Sequence, residues 1–180
     1  MASPEPAGYG IVAKILHWLI FGLLAAQYAI GSIMPHIGRK TVDEGWVSWH
    51  FSVGAAILFF IVIRLAWKLL HPVAQDATLT PLEQKLSALT HWTLYLLVLV
   101  MTLLGWVATN SRGWDVVLFG VVILPQVAAK GAAWGHECGD IHNVLVYVLL
   151  GFIVLHVAGA LYHRFIKRDQ VVARMLFART

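Results

Sequence analysis

Residues 141–163 read IHNVLVYVLLGFIVLHVAGALYH. These 23 residues carry no Lys, Arg, Asp or Glu, yet they hold three histidines. A helix of about 20 apolar residues crosses the hydrocarbon core of a bilayer, so the stretch predicts a membrane span. His142 and His156 are 14 residues apart. That is nearly four helical turns, which puts both imidazoles on one side of the helix, about 40° apart and about 21 Å apart along the axis. Each then lies near one membrane surface rather than at the middle. Ionisable side chains inside a span are expensive and mark function by default. One such His is as readily a packing residue as a ligand. Two on one side, with further His on other spans, predict two stacked metal centres, each taking one ligand from this helix.

The rest of the chain agrees with a membrane setting. Its 180 residues are 59% hydrophobic and only 12% charged, whereas a soluble domain would be about a quarter charged. Mean hydropathy is +0.76. The expectation is an all-α integral membrane four-helix bundle, one membrane domain over residues 1–180. Three further apolar runs supply its other spans: about 15–34, closed by Pro35; about 46–70, closed by Pro72; and about 86–109. The polar stretch before the first run reads as a tail. The run itself is too long for a signal-peptide core and lacks a small-residue cleavage site after it, so it reads as an uncleaved span. Segment 116–129, VVLFGVVILPQVAA, is too short to cross and is interrupted by Pro125. It is expected as a surface loop on the outside of the bundle, or as a re-entrant segment. Thr80-Pro81-Leu82-Glu83 has the form of a capping box with Pro at the first helical position, so the third helix should begin ahead of its apolar run. Six of the tryptophans fall near span ends, where they anchor to the bilayer interface.

Lys and Arg set the orientation. The amino-terminal tail, the second connection and the carboxy-terminal tail hold Lys14, Arg64, Lys68, Lys85, Arg164, Lys167, Arg168, Arg174 and Arg179. The first and third connections hold Arg39, Lys40, Arg112 and Lys130. Nine against four predicts both termini in the cytoplasm. The net charge of +4 comes from residues flanking apolar runs, which gives no basic surface for nucleic acid. Cys138 is the sole cysteine and reads as an incidental loop residue. No C-x-x-C-H motif is present, so any haem is held non-covalently.

The histidines sort by depth. His50 and His142 fall toward the outer surface; His17, His91 and His156 fall toward the inner one. Bis-imidazole ligation of haem takes one His from each of two facing helices, with burial and neighbouring hydrogen bonds setting the potential. Zinc wants four ligands, often with Cys or carboxylate, and no Asp or Glu lies in any span. Spacing leaves His17 and His91 both open as the partner of His156. Gly22, Gly54, Gly105, Gly151 and Gly159 allow close approach of a flat macrocycle or, equally, of a neighbouring helix. Arg64 reads either as a snorkelling interfacial residue or as a partner for a haem propionate or a quinone carbonyl. His91 and His163 read as interfacial polar residues or as groups that hydrogen-bond a quinone and move a proton. His36, His71 and His136 fall in connections and receive no role.

Several landmarks follow one another along the chain: LHW at 16–18, WHFSVG at 49–54, Arg64 followed by a basic residue and Pro72, HWTLYLL from His91, LFG to Pro125, and the His142–His156 pair. In this order the sequence resembles the bacterial cytochrome b561 family over nearly its whole length. The resemblance implies two b-type haems in a bacterial inner membrane, with iron ligand pairs His17/His156 on the inner side and His50/His142 on the outer. It implies single-electron transfer between the periplasmic side and the quinone pool. One such activity is a superoxide:ubiquinone oxidoreductase, with superoxide as donor and ubiquinone as acceptor. The alternative is a cytochrome b subunit relaying electrons between quinone and a separate dehydrogenase or other redox protein. His163 matches a position implicated in quinone contact; His91 and Arg64 are further candidates there. Superoxide would be steered by Arg39, Lys40, Arg112 and Lys130, although Asp43, Glu44, Asp115, Glu137 and Asp140 dilute that field.

Overall fold

A computed structural model describes residues 9–38, 40–74 and 78–177. Four long helices dominate it: α1 Ile11–Ile33, α2 Trp46–Leu70, α3 Pro81–Ser111 and α4 Ala133–Leu161. All four are long and apolar enough to cross a membrane. In hydrocarbon each backbone N–H and C=O must be paired within its own segment, which a helix achieves and an open strand does not. The helix ends follow local chemistry. Met34 and His71 each precede a proline and cap α1 and α2 in non-helical conformations (φ −68°, ψ 152° and φ −127°, ψ 70°), as crowding by the proline ring requires. Thr80 accepts from Glu83 N–H, and the Glu83 carboxylate accepts from Thr80 N–H, so both halves of the capping box close.

The closely packed pairs are α1–α2, α2–α3 and α3–α4, each between chain neighbours. The buried core lies at mid-height: Ile20, Val53, Ile57, Ile61, Tyr95, Val98 and Leu149. Leu149 is 1% exposed and stands halfway between His142 and His156 in sequence. Most other large apolar side chains face outward, Phe59 at 58% and Leu96 at 61% exposure among them. That pattern suits lipid, which solvates such surfaces as well as a protein interior does. Tyr28 Oη donates to the Val146 carbonyl across 2.8 Å, tying α1 to α4.

The α3–α4 connection is more ordered than a loose surface loop. Val117–Leu118 (β1) pairs antiparallel with Val122–Ile123 (β2). Phe119 (φ 48°) and Gly120 (φ 72°) turn the hairpin. A phenylalanine at positive φ is strained, and its place is fixed from α2: Ser52 Oγ donates to the Val117 carbonyl at 2.6 Å and accepts from Phe119 N–H at 3.3 Å. Asn110, fully buried, donates to the Trp114 carbonyl and accepts from Val127 N–H. The fourth helix begins at Ala133, ahead of its apolar run, so Cys138 and His136 are helical rather than in a loop. A Cβ on Gly135 would overlap the Ser111 side chain; glycine there lets α3 and α4 meet closely.

At the opposite end, which carries both described termini, α4 loosens into a π-helical turn, Tyr162–Lys167, ended by Arg168 at φ 54°. The chain then folds back under the bundle. Lys14 Nζ donates to the Leu176 carbonyl, Trp18 Nε1 to the Met175 carbonyl and Arg174 to the Ala74 carbonyl.

Candidate functional site

Two histidine pairs face each other across the bundle, one toward each end. At the hairpin end, His50 from α2 and His142 from α4 have ring centroids 6.2 Å apart and planes at 76°. At the terminal end, His17 from α1 and His156 from α4 have centroids 6.2 Å apart and planes at 70°. Each metal–imidazole bond is about 2 Å long, and a ring centre lies roughly 1 Å behind its nitrogen. Two imidazoles sharing an iron therefore stand about 6 Å apart, and both pairs have that spacing.

The hairpin-end pair lines a cavity of about 720 Å³. Gly31, Gly54 and Gly105 also line it. A Cβ on Gly105 would come within 3.2 Å of His142 Cε1, so the small residue leaves that ring its place. His142 Nδ1 donates to the Met101 carbonyl of α3 across 2.9 Å. This fixes the ring and leaves Nε2 with its lone pair, as metal-ligating His is usually held. Gln27 Nε2 lies 3.1 Å from the His50 carbonyl and 3.2 Å from its ring Nε2. Three polar atoms in the lining, Gln27 Oε1, His50 Nδ1 and Trp106 Nε1, are buried without a hydrogen-bond partner. Buried polar groups are normally satisfied, so the cavity fits a large, mostly apolar group that carries polar edges. A haem has that chemistry. Among the described residues no three His, Cys, Asp or Glu side chains converge to hold a bare ion.

The terminal-end site is more crowded. His91 of α3 also faces His156, with centroids 5.1 Å apart, about an ångström short of the spacing for a shared iron. His91 Nδ1 donates to the Ser87 carbonyl one turn back in its own helix, across 2.6 Å. Arg64 turns into the bundle instead of snorkelling outward. Its Nη1 donates to the Ala13 carbonyl at 2.8 Å, its Nη2 lies 3.3 Å from His17 Nδ1, and its guanidinium stands over the Tyr95 ring. Lys68 Nζ sits over the Trp92 and Tyr95 rings. His163 stands apart on the π-helical turn, where its Nδ1 donates to Asp169 Oδ2 across 2.6 Å.

Of the basic residues expected at the hairpin end, Arg112 lines the cavity together with Asp140. Lys40 lines a neighbouring depression, Lys130 lies across Gly113, and Arg39 lies outside the described residues. Sequence reasoning does not single out Gln27 or Asp169. Gln27 could have been found as the one amide within the first apolar run, and Asp169 as an acid closely following an interfacial His.

The sequence profile of the family described as prokaryotic cytochrome b561 matches residues 8–178. The chain therefore belongs to the prokaryotic cytochrome b561 family: multi-pass bacterial membrane proteins of electron transfer that bind haem b. It is 26% identical to cytochrome b561 homolog 2 of Escherichia coli (strain K12) over 176 residues, 95% of this chain and 92% of the relative. It is 25% identical to a probable superoxide oxidase, CybB, of Yersinia pestis over 163 residues, 89% of this chain and 91% of that one. A cytochrome b562 of Cereibacter sphaeroides is 26% identical over 179 residues, 97% and 98% of the two chains.

Proposed function

We propose that the chain carries two haem b groups, held by His50/His142 and His17/His156, and uses them to oxidise superoxide and reduce ubiquinone. The observation that supports the haem placement is the repeated 6.2 Å histidine spacing, one pair toward each end of a single bundle, and the choice of superoxide and ubiquinone rests on the likeness to the probable superoxide oxidase. Haem b supplies a reversible one-electron centre when bound. The chain's own residues do the rest. His142, fixed by Met101, and His50 would hold one haem iron in the hairpin-end cavity. His17 is favoured over His91 by distance and would hold the second iron with His156, with Arg64 Nη2 3.3 Å from its Nδ1. Ile57, Val98 and Leu149 exclude water between the two levels.

The count of basic residues supports the terminal end in the cytoplasm and the hairpin end in the periplasm of a bacterial inner membrane. Arg112 lines the cavity beside Asp140, so charge there does not by itself select an anion; the Yersinia relative's name is what favours superoxide. Two superoxide ions give one electron each and leave as O₂. The quinone takes both electrons and two protons on the cytoplasmic side, near His163, and Arg64 and His91, which stand beside His17 and His156, are further candidates to contact it.

The test is quinol formation by the purified holoprotein, given an enzymatic source of superoxide, short-chain ubiquinone and no other protein. The reading predicts quinol formation that superoxide dismutase abolishes. Absence of turnover would instead favour an electron relay serving a separate dehydrogenase or redox protein.

A further inference from the structure

His163 and Asp169 form a pair that the fold builds deliberately. Their side chains are 16% and 13% exposed and meet at 2.6 Å. The π-helical turn and the positive φ of Arg168 are what bring the carboxylate back over the imidazole. Such turns and such strained residues gather at functional positions because they cost free energy and persist only where the surroundings hold them. Here the surroundings do so. Lys167, at the end of the turn, bridges to Glu83 on α3 at 2.7 Å. Asp169 N–H donates to the His163 carbonyl, and Asp169 Oδ1 accepts from Val171 N–H. His163 lies seven residues, two turns, beyond His156, hence close to the same face of the helix.

The bond to Asp169 occupies Nδ1–H. The ring nitrogen left over, Nε2, is then the only one that exchanges a proton with a substrate. We propose that Asp169 is a positioning residue for quinone reduction: it fixes the orientation of the His163 ring, so that a proton carried at Nε2 passes to the reduced quinone oxygen. This rests on the quinone reading above. The bond broken is Nε2–H and the bond formed is O–H on the quinone. The electrons come from superoxide on the far side of the membrane, and water at the terminal end returns the proton to Nε2 before the second transfer.

The experiment uses holoprotein reduced in advance with dithionite, mixed rapidly with short-chain ubiquinone, with haem reoxidation followed in the Soret band. General acid catalysis contributes on the order of a hundredfold or more. Asp169→Asn should therefore slow the saturating rate by at least about tenfold with the quinone concentration at half-saturation nearly unchanged, and Asp169→Glu should recover much of it. His163→Gln should be slow as well. Adding Asp169→Asn to His163→Gln should cost nothing more, because residues acting through one another are not additive. Additive losses, or a wild-type rate in Asp169→Asn, would overturn the proposal, as would loss of the Soret band in the variants, which would make the pair structural. A wild-type holoprotein that quinone fails to reoxidise would overturn the quinone reading itself.

Discussion

The rings of His50 and His142, on α2 and α4, stand 6.2 Å apart beside a cavity lined by five glycines. That distance leaves room for a metal atom bound by both, and the same separation recurs between His17 and His156.

The glycine nearest His142 tests whether the cavity houses a haem. A methyl at residue 105 would lie 3.2 Å from the ring, closer than relaxed packing allows. Gly105→Ala should shift the Soret maximum and midpoint potential of one haem and leave the other unchanged. Gly105→Leu should lower the haem content from two to about one per chain, since the added side chain takes up ligand space. Redox-difference spectra and a pyridine haemochromogen assay check both.

His17 and His91 compete for His156, and the two kinds of geometry point different ways. Distance favours His17. The hydrogen bond of His91 to Ser87, which leaves Nε2 free, suits a ligand too, but at 5.1 Å the rings stand too close. The expectation is that His17→Ala loses the terminal-end haem and His91→Ala keeps it with altered quinone kinetics. The reverse pattern in the same spectra would transfer the ligand role to His91.

Leu149 separates the two levels. Truncating a buried leucine typically costs about 2–5 kcal/mol. Leu149→Ala should lower the thermal midpoint in detergent by several degrees while both haems stay bound. A ring-sized side chain in its place should disturb both sites at once.

Much of this was legible in the sequence because membrane spans and helical phase are local properties. His142 and His156 share a face by arithmetic, and Thr80 announces α3. What was not legible depends on tertiary approach. The start of α4 at Ala133 is polar and glycine-containing, and is helical because Gly135 packs on Ser111. The hairpin at Val117–Ile123 is held by Ser52, sixty-odd positions earlier in the chain. Arg64 reads as a residue that snorkels, until the carbonyl of Ala13 and the ring of His17 are seen to lie within its reach. Asp169 reaches His163 only because the helix widens to a π turn and Arg168 reverses the chain.

The most direct measurement is haem per polypeptide in the purified wild type and in His142→Ala. Two haems in the wild type, falling to one in the variant with the remaining spectrum that of a six-coordinate low-spin centre, is the predicted result. One haem in the wild type, or two retained when His142 is removed, would contradict the pairing on which everything else stands.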